Sequence, residues 1–157
     1  MRFSDFFAGG NIVAELKATG KEEAVHELVQ TLVAGGSLTK PQAAAAERAI
    51  LERERKGSTG IGKGVAVPHA KVREVEGMAG AFGRSVKGVE FGALDGQPVH
   101  LVFLLTSSPD QAEAHLEALR KVAALLKDDD YCAFLRRAKT RKELADLLRE
   151  VDDRLKQ

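Results

Sequence analysis

Four segments of the chain carry apolar residues at intervals of three and four, the spacing of one face of an α-helix. The clearest is the segment 21–34. Its apolar stripe comprises Ala24, Val25, Leu28, Val29, Leu32 and Val33. Thr19 and Glu22, just before and inside this segment, have the spacing of a capping box. The pattern therefore predicts a helix that begins after Thr19.

Three further helices are predicted from the same periodicity and from start signals at their N-termini. The second begins near Thr39, has Gln42 at the capping-box position and runs toward Lys56. The third begins at Ser108, which is followed by a proline, and the fourth begins after Thr140. The predicted apolar face of the third comprises Leu116, Leu119, Val122, Ala123 and Leu126, and that of the fourth comprises Leu144, Leu147, Leu148 and Val151.

Between the second and third predicted helices the pattern changes to short apolar runs, which are typical of strands. Strands are predicted over residues 65–68, 78–86 and 99–105, and residues 11–16 have the pattern of an edge strand. The run 99–105 is apolar almost throughout, as expected for a central strand that is buried on both faces. Helices before and after a buried sheet predict an α/β layered sandwich.

Composition and charge indicate a globular protein without a general attraction to nucleic acid or acidic membranes. The 157 residues are 44% hydrophobic and 30% charged, with a formal net charge of +1. Aromatic residues make up 5%, which argues against a stacking platform for single strands. Cys132 is the only cysteine, so an intrachain disulfide is excluded. Residues 1–10 lack a signal-peptide pattern and the longest apolar run is short, so we expect a cytoplasmic protein that does not insert into membranes.

The segment 57–71 holds the densest cluster of residue types associated with chemistry, GSTGIGKGVAVPHAK. Its glycines allow backbone amides to approach a ligand and to form an anion-binding concavity, although the spacing is neither Walker A nor GxGxxG. Pro68 restricts the backbone, so His69 emerges in a defined direction. A histidine beside a turn is often only structural. A neutral imidazole can nevertheless attack phosphorus and release the group to another nucleophile, which makes His69 a candidate phosphoryl carrier.

The run from Ser58 to His69, STGIGKGVAVPH, closely resembles the active-site signature of the type-2 IIA domains of the bacterial phosphoenolpyruvate-dependent phosphotransferase system. These are the fructose, mannitol and nitrogen-regulatory IIA domains. The resemblance covers nearly the whole chain and includes the segments 91–99 and 110–116. It is consistent with an α/β fold: a single domain over residues 1–157, with a mixed parallel and antiparallel sheet of about five strands and helices on both faces.

The resemblance also implies the roles of individual residues and partners. His69 accepts a phosphoryl group from the phosphocarrier HPr or a paralogue, and in sugar transport a IIB domain receives it next. The second active-site histidine falls on His115 and the family arginine on Arg53. Ser58 and Thr59 are candidate hydroxyl donors to the phosphoryl group, although glycine-flanked hydroxyls are also ordinary turn formers. Transfer between side chains implies no metal and no organic cofactor.

Several alternatives stay open at this point. His115 shares a helical face with apolar residues, which also fits a core histidine, and Arg53 lies in a charged run typical of a solvated helix face. The N-terminal layout favours a nitrogen-regulatory role over fructose- or mannitol-type sugar uptake, and we expect an IIA domain without attached IIB, IIC or HPr modules. More distant readings are a binding module that has lost phosphotransfer and a metal site built on His69 and His115. Ala70 replaces a glycine common in the family, which matters only if that residue needs a positive φ.

Overall fold

A mixed six-stranded sheet lies at the centre of the computed structural model, which describes residues 2–154. Met1 and residues 155–157 of the predicted domain lie outside the described residues. In chain order the strands are β1 (Ile12–Val13), β2 (Gly60–Gly62), β3 (Val65–Ala66), β4 (His69–Lys71), β5 (Met78–Val89) and β6 (Val99–Ser107). The helices are α1 (Lys21–Ala34), α2 (Lys40–Arg55), α3 (Ala112–Leu125), α4 (Asp129–Arg137) and α5 (Arg141–Arg154).

Strand β6 occupies the middle of the sheet. It pairs antiparallel with β5, which pairs parallel with β1 at one edge of the sheet. On its other side β6 pairs parallel with β3, which leads through an antiparallel pairing to β2 at the opposite edge. Every residue of β6 except His100 is buried, which confirms the predicted central strand. The mixed α/β sheet predicted for the chain is likewise confirmed.

Helices cover both faces of this sheet, as predicted. Val102 and Leu104 of β6 pack in one core with the apolar faces of α1 and α2. Leu101, Phe103 and Leu105 pack in a second core with α3, α4 and α5. This assignment follows the pleat, which sends successive side chains of a strand to opposite faces. The end of β6 thus lies between the two helical layers, and this is where the candidate site is found.

The two N-terminal helices have the predicted extents, but only one has the predicted cap. Gln42 donates its backbone N–H to the Thr39 hydroxyl at 3.3 Å, and its side chain accepts the Thr39 N–H at 2.9 Å, which is the expected capping box of α2. The capping box predicted for Thr19 and Glu22 is wrong. Helix α1 begins from Gly20, which makes no side-chain cap bond. The Thr19 carbonyl instead accepts the Glu90 N–H. A backbone hydrogen bond to a residue distant in sequence therefore holds the start of α1.

The C-terminal half departs more from the sequence pattern. A 3₁₀ turn over Pro109–Gln111 precedes α3, so the regular helix starts later than predicted. Its buried face is offset by one residue from the predicted face: Leu116 is 47% exposed, whereas its neighbour His115 is 3% exposed. Helix α4 was not predicted, because only Tyr131, Cys132 and Leu135 of its nine residues are buried.

Candidate active site

The Val67–Pro68 step separates two short strands that share one side of β6. Strand β3 pairs with β6 at Leu101 and Val102, and β4 pairs with it again at Leu105, Thr106 and Ser107. Because proline has no N–H, it interrupts the ladder, while its carbonyl accepts the Leu105 N–H at 3.0 Å. Strand β4 was not predicted, and it is the element that places His69 opposite Leu105 near the end of the central strand.

The ring of His69 is held by the backbone of the residue before the proline. Its Nδ1 lies 2.7 Å from the carbonyl oxygen of Val67. A carbonyl can only accept, so Nδ1 carries the proton and Nε2 keeps the lone pair. Burial lowers the pKa of His69, and the charge of Arg53 lowers it further, against the opposing effects of the Val67 carbonyl and Glu54. The imidazole is therefore neutral at pH 7, with Nε2 as its nucleophilic nitrogen.

His115 lies beside His69 in the buried face of α3. The two ring centroids are 5.5 Å apart with the planes inclined at 59°. Nδ1 of His115 is 2.6 Å from the hydroxyl oxygen of Ser107, the last residue of β6. Burial lowers the pKa of His115 to about 4, with further lowering by the His69 ring in its protonated form and by the charge of Lys71. His115 is thus both buried and part of the candidate site, so the two sequence interpretations of this residue are compatible.

Arg53 reaches the same place from the end of α2. Its Nη1 donates to the Gly57 carbonyl at 2.9 Å, and its side chain lines a cavity of about 700 Å³ together with both histidines. Arg55, the next arginine of the same charged run, is exposed and does not line this cavity. The structure therefore brings His69, His115 and Arg53 to one cavity.

The cavity has a mixed apolar and charged lining. Lys71 also lines it and was not singled out from the sequence. It follows His69 by two residues in β4, and residues at this interval lie on the same face of a strand, so an assigned β4 would have pointed to it. The remaining lining residues are Ala49, Glu52, Lys56, Ala70, Ala112, Glu113, Leu116 and Leu119.

Ser58 and Thr59 lie outside the lining of this cavity. The Thr59 hydroxyl donates to the carboxylate of Glu54, and its backbone N–H lies 3.2 Å from both oxygens of the same carboxylate. The Ser58 hydroxyl donates to the Phe91 carbonyl at 3.3 Å and accepts the Gly60 N–H at 3.0 Å. In this structure both hydroxyls are thus used to hold the glycine-rich segment. Glu54 is a buried residue of the region that sequence reasoning missed.

The glycines of this segment serve the local structure, and none of them lines the cavity that contains His69. A Cβ atom on Gly60 would lie 2.9 Å from the Cβ of Ala93, too close for another residue without displacement. Among the described residues Lys63 is the one non-glycine with positive φ, at 58°. Ala70 therefore occupies its strand position without the strain that a positive φ would bring.

Every helix within residues 2–154 is too short or too polar to span a bilayer. In the same part of the chain, no group of three or more His, Cys, Asp and Glu side chains is arranged to hold a metal ion.

Relatives at the sequence level include both regulatory and sugar-specific proteins. The chain is 38% identical over 136 residues to the nitrogen regulatory protein of Bradyrhizobium diazoefficiens, covering 87% of each chain. It is 37% identical over 152 residues to the fructose-specific EIIABC component of Bacillus subtilis. That match covers 97% of this chain but only 24% of the relative's length.

The fold is also similar to that of a nitrogen regulatory protein of known structure. The crystal structure of the nitrogen regulatory protein IIA-Ntr from Neisseria meningitidis has a TM-score of 0.82 at 30% identity, covering 92% of this chain and 97% of that chain. The family model described as phosphoenolpyruvate-dependent sugar phosphotransferase system, EIIA 2, matches residues 5–151. The chain therefore belongs to the EIIA type-2 family of the phosphoenolpyruvate-dependent phosphotransferase system, whose members have a phosphocarrier role.

Proposed function

We propose that this protein carries a phosphoryl group on Nε2 of His69. The hydrogen bond between Nδ1 and the Val67 carbonyl is the observation that carries the proposal. It presets one tautomer, and it leaves the lone pair of Nε2 available in a cavity that also contains an arginine, a lysine and a second histidine.

The reaction exchanges one phosphorus–nitrogen bond for another. Nε2 of His69 attacks the phosphorus of a phosphohistidine on the donor protein, whose other ring nitrogen is protonated. The bond to the donor nitrogen breaks, and the donor leaves with the electron pair as a neutral imidazole. Positive charge develops on the His69 ring as the new bond forms. The Val67 carbonyl, 2.7 Å from Nδ1, stabilises the protonated nitrogen at that stage. In the onward step a nucleophile of the next acceptor attacks the phosphorus, the bond to Nε2 breaks, and His69 leaves with the electron pair as a neutral imidazole.

The neighbouring side chains supply the counter-charge and a hydrogen bond. Arg53 and Lys71 provide positive charge for a phosphoryl group that carries about two negative charges. The guanidinium of an arginine can bind two phosphate oxygens at once. His115 is neutral at pH 7, because its pKa is lowered to about 4. In the proposal the Ser107 hydroxyl donates to Nδ1 of His115, which leaves the Nε2–H of His115 to donate to the phosphoryl group.

We place HPr or a paralogue upstream and either a IIB domain or a regulatory target downstream, with all of these proteins in the cytoplasm. A nitrogen-regulatory role is favoured, because the likeness to IIA-Ntr has a TM-score of 0.82 at 30% identity, against 0.74 at 26% for IIA mannitol from Escherichia coli. Sugar uptake of the fructose type is the second candidate, supported by the similarity to the EIIA part of a fructose-specific component.

A labelling experiment tests the acceptor. The protein is incubated with radiolabelled phosphoenolpyruvate, enzyme I and HPr, and should yield an acid-labile, base-stable phosphoprotein. His69→Ala should abolish the label. His26→Ala is the matched control, because His26 is an exposed histidine of α1 that is bonded to Glu47. Labelling of His69→Ala at the wild-type level would show that the acceptor assignment is wrong.

The same phosphorylated protein separates the two downstream roles. When it is offered purified IIB domains of fructose and mannitol permeases, rapid loss of label to a IIB domain supports sugar uptake. Retention of the label, together with a target protein that binds only one phosphorylation state, supports regulation.

A further inference from the structure

Glu54 is a buried carboxylate beside the candidate site that the proposed chemistry does not use. It is 5% exposed and follows Arg53 directly in the last turn of α2. Its Oε2 lies 3.2 Å from the ammonium of Lys21, at the start of α1. The same carboxylate accepts both the backbone N–H and the hydroxyl of Thr59. A buried charge is costly unless it is paired, so this carboxylate is tied to a specific arrangement of its neighbours.

Hydrogen bonds connect this carboxylate to the reactive histidine. The carbonyl of Thr59 accepts the N–H of Val67 at 3.2 Å. The carbonyl of Val67 accepts the Nδ1–H of His69 at 2.7 Å. Glu54 therefore holds Thr59, Thr59 holds Val67, and Val67 sets the orientation and the tautomer of His69.

The held segment is one that would otherwise have many conformations. Gly57 and Gly60 flank Ser58 and Thr59, and glycine loses more conformational freedom on ordering than other residues. The Gly57 carbonyl is also the acceptor for Arg53. The turn that Glu54 holds is thus bonded to the arginine on one side and, through Thr59 and Val67, to His69 on the other.

We infer that Glu54 is a positioning residue, which with Thr59 orients the His69 ring for phosphoryl transfer through the Val67 backbone. The inference rests on the proposed function of His69 as acceptor. Displacement of a reacting group by about an ångström can cost a factor of up to about 100 in rate. Loss of this connection should therefore lower the transfer rate, even though Glu54 and Thr59 do not line the cavity.

Four variants separate the loss of the hydrogen bonds between Glu54 and His69 from a general loss of stability. Thr59→Val removes the hydroxyl but keeps the side-chain shape and the Lys21–Glu54 pair, and Thr59→Ser restores the hydroxyl. Glu54→Gln removes the charge. Glu27→Gln is the matched control, because the Glu27 carboxylate also accepts backbone N–H groups, from Lys17 and Ala18 at 3.0–3.1 Å, and Glu27 does not line the cavity.

Two measurements are made on each variant that has a wild-type far-ultraviolet spectrum. Nitrogen-15 NMR of the unphosphorylated protein reports which ring nitrogen of His69 carries the proton. Rapid-quench labelling from phosphorylated HPr reports the transfer rate. For Thr59→Val and Glu54→Gln we expect a mixture of His69 tautomers and a transfer rate lower by about 10-fold. Thr59→Ser and Glu27→Gln should retain the wild-type tautomer and a rate within about twofold of wild type.

The inference is overturned if folded Thr59→Val keeps both the wild-type tautomer and the wild-type rate. It is also overturned if Glu27→Gln lowers the rate as much as Thr59→Val does, because the effect is then one of general stability. Failure of the proposed function is a separate result, since it would be seen as labelling of the His69→Ala protein.

Discussion

Replacement of His115 by glutamine should remove part of the acid sensitivity of the fold. In the native structure the His115 ring is 3% exposed and its Nδ1 faces the Ser107 hydroxyl at 2.6 Å. Glutamine has a polar amide that can still bond this hydroxyl, but it has no group that becomes protonated between pH 4 and pH 7. The variant therefore isolates the proton that His115 binds on unfolding.

The magnitude follows from the pKa of His115 in the two states. Burial, with the protonated form of His69 and the charge of Lys71, lowers this pKa from 6.5 to about 4. As the pH falls below about 6.5 the unfolded chain binds a proton at His115 and the folded protein does not, so stability is lost. Because a tenfold difference in proton affinity is worth about 1.4 kcal/mol, the full loss is about 3 kcal/mol. About 2 kcal/mol of it should be reached by about pH 4.5.

Urea denaturation followed by circular dichroism, at about pH 7 and about pH 4.5, measures this difference. Wild type should lose more unfolding free energy between the two pH values than His115→Gln, by about 2 kcal/mol. Other groups that titrate in this range are common to both proteins and cancel, except His69, whose charge acts on His115. Repeating the comparison in a His69→Gln background removes that coupling. His26→Gln, at an exposed histidine, controls for loss of an imidazole as such. Equal pH dependence in wild type and His115→Gln would refute the assignment of a neutral, buried His115.

Three further predictions concern the site, the core and a cap. Lys71→Gln should lower the equilibrium fraction of phosphorylated protein by about threefold, measured by phosphate-affinity gel against phosphorylated HPr, whereas Lys87→Gln, which does not line the cavity, should not. Leu104→Ala, at a fully buried position, should cost about 3 kcal/mol of unfolding free energy in urea, against less than about 0.5 kcal/mol for Leu94→Ala, which is 77% exposed. Thr39→Ala should cost about 1 kcal/mol by the same measurement, because it removes the side-chain cap of α2.

Elements with strong local signals were predicted with nearly correct bounds. Helix α1 has the predicted extent, because its apolar stripe faces one side of the sheet along its whole length. Strand β6 was recognised because burial on both faces leaves few polar positions. Strand β4 has no strand pattern in the sequence, because its three residues become a strand only by pairing with the end of β6. Helix α4 has a weak helical pattern for a related reason, since few of its residues reach the core.

In the candidate site, too, the sequence indicated some of the side chains, and the folded structure was needed to find the others. The order of residues around Pro68 indicated His69, and the resemblance to IIA domains added His115 and Arg53. The local pattern could not show that the Thr59 hydroxyl donates a hydrogen bond to Glu54, since this bond depends on how the end of α2 packs against the glycine-rich segment. It also gave no reason to single out Lys71, whose side chain reaches the cavity through the pairing of β4.

The amino-acid sequence by itself determined the helical periodicity, the buried central strand, the constraint that Pro68 places before His69, and the family. These depend on neighbours within a few residues or on a motif that can be read directly. Only the tertiary structure decided which nitrogen of His69 is free, that the ring of His115 lies beside it, and that Glu54 holds the segment behind it. Each of these depends on contacts between backbone segments that meet only in the folded sheet, where burial and hydrogen-bond geometry select one arrangement among those that local preferences allow.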